Sequence, residues 1–314
     1  MKKLLSIIIC ISPWTSLISD NHPKKRLFDR EEIAAKILGR EDRKYGDHSG
    51  NRVLCRFYNQ GSIGDQSSSF SGVYPLGSGH SYIWEFSPVI AASVLDTSGN
   101  RKRIVSDGLR GLVDSSPEGT PWSFEPLAGY ANPNQENLAM SDNSSTWPST
   151  WPNKDEDWDG EWNGQYGKYV RADQESYFVM DDYYNSEYEF WPDQNDVPES
   201  STESPDDHRR GLGINLEVRG YQWNHPAAED IIIVTYWITN IGSSTLDSVV
   251  FGMYGPWTVL FLECMVMQML VVHQVSVMMT LGSIQRMTWS INGIMIIGVH
   301  RMVVSDLHIL VGVF

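Results

Sequence analysis

The chain has 314 residues, which is enough for one large domain or two ordinary ones with a sizeable core. Its 39 acidic and 24 basic residues give a net charge of −15, which argues against a nucleic-acid partner because contacts to phosphate need clustered Lys and Arg. Of three cysteines, just Cys55 lies outside both the N-terminal apolar run and the C-terminal tail, so the sequence holds neither a disulfide framework nor a cysteine metal cluster.

Residues 1–19 have the outline of a secretory signal peptide. Lys2 and Lys3 precede an apolar run at residues 4–11, which is too short to cross a membrane as a helix, and small or polar residues follow. We therefore expect export, with cleavage after Ser16 or Ser19, and a secreted or cell-surface protein without a stable membrane span. A buried or frayed N-terminal segment is the alternative.

Residues 20–50 are predicted to be a linker with one short amphipathic helix. Asp29 is the expected N-cap, acidic residues occupy the first turn, and Gly39 ends the pattern. The apolar positions between them recur at helical spacing: Ile33, Ala34, Ile37 and Leu38.

Residues 51–255 are predicted to form a β-rich domain. Runs of strand-forming residues between turn residues predict strands at 53–58, 81–86, 89–95, 166–170 and 176–180. Residues 214–219 alternate between apolar and polar, which predicts a strand with one face in water. Residues 231–239 and 246–254 read as adjacent strands buried in a sandwich core. The expected fold is mainly β, an antiparallel sandwich-type domain with long irregular loops rich in aromatic and acidic residues.

An aromatic run within residues 143–207 is a candidate platform for sugar rings. Aromatic faces stack on the apolar patches of sugars, and carboxylates accept hydrogen bonds from hydroxyl groups. The alternative is that the rings pin a long irregular loop to the sheet, since rings are chiefly used to bury area. The candidate residues are Trp147, Trp151, Trp158, Trp162 and Tyr166.

The same run holds a possible calcium site. Asp155, Asp157 and Asp159 alternate as calcium ligands sometimes do, with Gly160 able to turn the chain. No Glu stands at the twelfth position, which is Tyr166, so this is not an EF-hand. A solvated acidic loop is the alternative.

Catalytic motifs are missing from the sequence. Glu217 with Glu229 or Asp230 could be a glycosidase pair, yet carboxylates are too abundant for any pair to stand out. His80 and His225 are single histidines without metal-ligand spacing. No nucleophile elbow, phosphate loop or dinucleotide fingerprint is present.

Residues 256–314 are predicted to be a frame-shifted tail. Eight of the twelve methionines fall here, and all but two of the acids and all but two of the bases lie before it. An Asp codon followed by a codon starting with G reads as Met one base late, so acidic, Gly-rich sequence turns into Met and Val. Codons for residues 257–266 permit a hidden copy of LDSVVFGMYG, the visible segment 246–255.

A tandem duplication of 32 bases explains this hidden copy, and 32 is not a multiple of three, so everything downstream is out of frame. The β-rich domain would then be incomplete at its C-terminal edge, with a tail that is not natively folded. The alternative is a genuine Met-rich membrane anchor, but polar residues leave no apolar run of about 18 residues.

Four stretches carry a family resemblance: FYNQGSIGD at 57–65, YPLGSGHSYIW at 74–84, GQYGKYVRADQESY at 164–177, and residues 220–254. They resemble the N-terminal part of large secreted β-rich proteins of environmental bacteria, which often end in a secretion sorting domain. The resemblance implies an extracellular protein that continues past residue 314 and brings no catalytic residues. We expect a non-catalytic structural or adhesive module with glycan or surface-protein partners; the alternative is a carbohydrate-binding module or a glycoside hydrolase fragment.

Overall fold

The computed structural model describes residues 43–64, 70–83, 85–108, 122–200 and 208–254, and the backbone of three strands at 288–289, 295–302 and 306–313. The predicted signal peptide and the predicted helix at residues 29–39 lie outside these ranges. Helical structure in the described part is limited to two 3₁₀ turns, Ser144–Thr146 and Glu156–Trp158. No helix there is both long enough and apolar enough to cross a membrane.

Thirteen strands form in the described residues, and every strand pair is antiparallel. They are β1 (Tyr45–His48), β2 (Cys55–Tyr58), β3 (Ser87–Leu95), β4 (Arg101–Asp107), β5 (Glu125–Pro126), β6 (Ala139–Met140), β7 (Gln174–Asp181), β8 (Ile214–Gln222), β9 (Ile232–Asn240), β10 (Leu246–Tyr254), β11 (Thr288–Trp289), β12 (Met295–Met302) and β13 (Asp306–Val313).

The strands make a small sheet and two large ones. β1 pairs with β2, a five-stranded sheet has the order β11-β12-β10-β3-β4, and a six-stranded sheet has the order β13-β9-β8-β7-β5 with β6 also on β7. Apolar residues of both large sheets share one core, in which the Phe251 ring of β10 lies 5.2 Å from the Tyr236 ring of β9. The predicted mainly β, antiparallel, sandwich-type fold is confirmed.

The sharpest strand predictions match the structure. The segments predicted at 214–219, 231–239 and 246–254 become β8, β9 and β10. The wet face predicted for the first of them is wrong, however, because Asn215 and Arg219 are buried. A layer of irregular chain covers that face, and alternation along one strand carries no signal of such a cover.

Other boundaries differ from prediction. β1 lies N-terminal to residue 51, so the β-rich fold begins inside the segment assigned to the linker. Residues 101–107 form the unpredicted strand β4, and it begins with Arg101, Lys102 and Arg103. Residues 166–170 form no strand, because Gly164 and Gly167 turn the chain back on itself through an isolated bridge.

The tail is described only as backbone. β12 pairs with β10 along most of its length, and β13 pairs with β9. Tail segments therefore occupy both sheet edges at which the predicted domain would end. The origin of the tail by a frameshift, and the packing of its side chains, stay predictions.

Candidate functional site

Residues 147–163, which we call the aromatic segment, lie on the outer face of the six-stranded sheet. Tyr177 and Val179 of β7 point to that face, while Phe178 and Met180 between them point to the main core. The second core so formed has these members: Leu127, Tyr130, Ala139, Trp151, Trp162, Tyr177 and Val179. Burial of large rings is the main source of stability in such a layer.

Each buried indole N–H in this layer has an acceptor. The Trp147 Nε1 donates to the Met140 carbonyl at 2.7 Å, and the Trp151 Nε1 donates to the Glu161 carbonyl at 2.9 Å. The Trp162 Nε1 donates to the Glu175 carboxylate at 2.7 Å. A ring anchored at its polar tip has one orientation, so the irregular segment is held firmly on the sheet.

The five rings of the predicted sugar platform do not share one exposed surface, because two of them are buried. Trp151 and Trp162 are each 2% exposed, and Trp147 packs 5.4 Å from the Trp162 ring. Trp151 and Trp162 therefore offer no open face to a ligand, and together with the partly buried Trp147 they pack the loop onto the sheet. Tyr166 differs from them, since 64% of it is exposed.

Trp158 is the fourth predicted platform ring, and lysines lie over it. The Lys154 Nζ is 4.4 Å from its ring centre, and the Lys168 Nζ is 5.5 Å away. Burial, aided by Arg219, lowers the pKa of Lys154. The partly buried ring thus serves as a cation–π partner within the protein.

The three aspartates of the predicted calcium site are exposed and form no ligand group. Asp157 instead binds the Lys168 ammonium at 2.7 Å, and Asp155 occupies the N-cap position of the 3₁₀ turn without a side-chain cap hydrogen bond. Within the described ranges no group of three or more His, Cys, Asp or Glu side chains is arranged to hold a metal ion. The calcium site at Asp155, Asp157 and Asp159 stays a prediction.

A buried ion pair underlies the aromatic layer. The Arg219 guanidinium stacks on the Tyr177 ring at 3.8 Å and donates to Glu217 at 3.1 and 3.2 Å and to the Asn163 carbonyl. Burial raises the pKa of Tyr177 well above its usual range, which keeps its hydroxyl protonated. Glu217 is therefore engaged in structure.

The carboxylate pairs considered from the sequence are not brought together. Glu217 sits in the middle of β8, whereas Glu229 and Asp230 lie in the turn before β9. Both of the latter bind Arg52, at 3.4 and 2.8 Å. Neither pairing forms the facing carboxylates that glycoside hydrolysis needs.

His48 and Ser176 form a pair that the sequence analysis missed. The His48 Nε2 lies 2.8 Å from the Ser176 Oγ, and both residues are fully buried. Burial lowers the pKa of His48 to about 3. The hydroxyl and the imidazole are the groups that a nucleophile and a general base would use. A substrate cannot reach them, however, so the pair has a structural role. The predicted loop histidines, His80 and His225, are both exposed.

A second buried cluster joins β7 to the segment before β8. Asp182 accepts hydrogen bonds from the Leu212 N–H at 2.6 Å, the Ile214 N–H at 2.9 Å and the Ser106 hydroxyl at 2.8 Å. Arg209 binds Asp181 through two bonds of 2.7 and 3.1 Å. Burial, reinforced by Asp181, raises the pKa of Asp182 to about 7. The side chains of Asp181, Asp182 and Arg209 therefore also have a structural role.

Exposed apolar surface is concentrated on residues 164–171, which we call the tyrosine loop. Tyr166 is 64% exposed, Tyr169 51% and Val170 38%, and they are three of the five large exposed hydrophobic residues in the described part of the chain. Arg171 completes the loop and is also exposed. The platform prediction included Tyr166 but omitted Arg171, because it selected aromatic residues only. It also grouped Tyr166 with buried tryptophans, because the sequence does not distinguish a buried ring from an exposed one.

Comparison with known proteins leaves this site to be interpreted from its own geometry. The loop combines exposed tyrosines with a cation, whereas the buried polar groups beside it are occupied within the fold. The chain matches no protein-family model, no curated protein and no solved structure.

Proposed function

We propose that the chain is a non-catalytic, secreted or cell-surface module with a structural or adhesive role. One observation carries the proposal: three pairs of buried or mostly buried polar groups are engaged with each other, while three of the exposed large hydrophobic residues in the described part are gathered on one loop. Arg219 with Glu217, Arg209 with Asp181, and His48 with Ser176 are the engaged pairs. An adhesive module needs a stable scaffold and a contact surface, and this arrangement suits both needs.

The extracellular location is supported by the sequence. Lys2 and Lys3 before an apolar run fit a signal peptide, and the excess of acidic residues favours solubility outside the cell. The resemblance to large secreted β-rich proteins points in the same direction. We further propose that the natural protein continues past residue 314 in another reading frame.

The test measures adhesion and turnover on the same protein. The purified chain is incubated with bacterial cells, cell-wall fractions and a panel of polysaccharides, and both retained protein and released reducing sugar are measured. We expect retention on at least one surface without sugar release. Release of reducing sugar that increases with protein concentration would contradict the non-catalytic proposal, and a lack of retention on every surface would contradict the adhesive one.

A carbohydrate-binding module is the second candidate. The exposure of Tyr166 and Tyr169 favours it, because sugar recognition uses accessible rings. A glycoside hydrolase fragment has less support, since Glu217, Glu229 and Asp230 are each bound to an arginine.

A further inference from the structure

The tyrosine loop presents its rings on a backbone of defined shape. Gly164 approaches its neighbours so closely that a Cβ there would lie 2.6 Å from the carbonyl oxygens of Gly167 and Tyr169. Gly167 has a φ of +151°, and a Cβ there would lie 2.7 Å from the Tyr169 ring. Both positions thus require glycine, and the two glycines fix the tight turn that points Tyr166 and Tyr169 outward.

Buried side chains anchor the end of this loop. Glu175, which is 2% exposed, accepts hydrogen bonds from the Arg171 N–H at 2.6 Å and the Ala172 N–H at 3.0 Å. The Arg171 carbonyl accepts from the Trp223 Nε1 at 3.2 Å. Because the same Glu175 also holds Trp162, the loop is tied directly to the second core.

The start of the loop is tied to β8. The Tyr221 hydroxyl donates to the Gln165 side-chain oxygen at 2.8 Å. The Tyr221 ring stacks on Trp223 with centres 5.7 Å apart and planes 14° apart. Such anchoring reduces the conformational entropy that a ligand would have to restrict, so the loop is organised before binding.

Arg171 sets the spacing of the exposed rings. Its guanidinium carbon lies 5.1 Å from the Tyr166 ring centre and 4.9 Å from the Tyr169 ring centre, and it donates to the Tyr169 hydroxyl at 2.6 Å. Three residues of chain span at most about 11 Å, so both rings can contact one short stretch of a linear ligand.

The exposed area of the loop is too small for a stable protein partner. If a whole tyrosine offers about 200 Å², the exposed parts of two tyrosines and a valine amount to roughly 300 Å². A stable protein interface buries about 800 Å² on each side, of which roughly 450 Å² is apolar, so the apolar area of the loop falls short of it. A ligand of a few rings fits this area better.

Charge decides the class of that ligand. The chain has a net charge of −15, and acidic residues crowd the segment just before the loop: Asp155, Glu156, Asp157, Asp159 and Glu161. The Arg171 guanidinium, in contrast, is already stacked between two rings and bonded to the Tyr169 hydroxyl. A polyanion would be repelled, whereas a neutral sugar brings apolar ring faces and hydroxyl donors.

We propose that the tyrosine loop binds neutral polysaccharide, with sugar rings stacked on Tyr166 and Tyr169 and with Arg171 as the residue that positions both tyrosines. This inference rests on the adhesive function proposed above and names its ligand class.

Affinity electrophoresis of the full chain tests it, in gels containing β-glucan, xylan or glucomannan as neutral polymers and alginate as an anionic one. We expect retardation by at least one neutral polymer. The double variant Tyr166→Ala/Tyr169→Ala should weaken that retardation at least tenfold, and Tyr166→Phe/Tyr169→Phe, which keeps both rings, should weaken it by much less.

Leu76→Ala and Leu95→Ala are the matched controls, because they remove exposed apolar side chains elsewhere, and they should leave retardation unchanged. Arg171→Ala should weaken binding while leaving thermal unfolding within a few degrees of wild type. Retardation by alginate alone, or retardation that the double alanine variant does not change, would overturn the inference.

The adhesive proposal is tested separately, by retention of the chain on cells. Retention on cells without retardation by any neutral polymer would overturn the ligand assignment but keep the adhesive function. Absence of both would overturn the two together.

Discussion

The Arg219 guanidinium lies 3.8 Å from the centre of the Tyr177 ring, and both side chains are buried beneath the aromatic segment. The same guanidinium pairs with Glu217, whose side chain is 16% exposed. Removing one partner of a mostly buried ion pair leaves the charge of the other partner unpaired. The resulting loss in free energy of unfolding is larger than the net contribution of the intact pair.

Arg219→Met is therefore expected to lower the free energy of unfolding by about 3–5 kcal/mol. Chemical denaturation followed by tryptophan fluorescence measures it. Arg52→Met is the control, because the Arg52 pairs with Glu229 and Asp230 are exposed and such pairs contribute about 0–1 kcal/mol. Equal losses in the two variants would contradict the structural role of Arg219.

We expect His48 to lower the free energy of unfolding as the pH falls below about 6.5. The unfolded chain binds a proton at this residue below about pH 6.5, whereas the pKa in the folded chain is about 3. Between these values the unfolded state holds more protons, so the free energy of unfolding drops as pH falls, by up to about 1.4 kcal/mol per pH unit. His48→Gln should flatten this part of the curve in urea titrations from pH 7 to 4. Parallel curves for wild type and variant would contradict the neutral, buried state of His48.

Asp182 has the opposite effect. Its pKa of about 7 in the folded chain lies above the ordinary value of 3.8, so the folded state holds more protons between these values. The contribution of the protonated form is fully present below about pH 3.8 and is lost as pH rises through 7. Asp182→Asn is less stable than wild type because its amide group faces N–H donors, and its deficit should shrink from pH 5 to pH 8. A deficit that grows over this range would be inconsistent with a raised pKa.

Cys55 is expected to be inert in the folded protein. It is fully buried, and burial raises its pKa to about 12, so the reactive thiolate is scarce. Iodoacetamide labelling with and without urea, followed by peptide mapping, separates Cys55 from Cys10 and Cys264. We expect modification of Cys55 only in urea. Rapid labelling in native buffer would show that the core around β2 opens readily.

The tail at residues 256–314, for which we predict a frameshift, is expected to be sensitive to proteolysis. Limited digestion with mass spectrometry should remove residues from about Pro256 onward, since a segment without a packed core is cleaved readily. Protection of residues 295–313 would instead support stable pairing of β12 with β10 and of β13 with β9. Resequencing the gene across codons 240–300 gives an independent answer, because it either contains the 32-base repeat or does not.

The strands of the core were predictable because their patterns are local. β9 and β10 are each nine residues long and consist mostly of apolar, β-branched and aromatic residues, and the loop between them carries clear turn signals, so their positions follow from sequence. His48 and Ser176, in contrast, are 128 positions apart and meet only through tertiary structure. The exposure of Tyr166 and the burial of Trp162 were equally inaccessible, because rings with a polar tip occupy both environments.

The aromatic segment sets the minimal folding unit of this protein. It contains almost no regular secondary structure, so it looks like an insertion that could be shortened without harm. Yet deletion of residues 147–163 would remove Trp151 and Trp162 from the second core and expose part of the apolar surface of Tyr177 and Val179. Exposed apolar patches drive aggregation. Truncations for expression should therefore keep this segment whole.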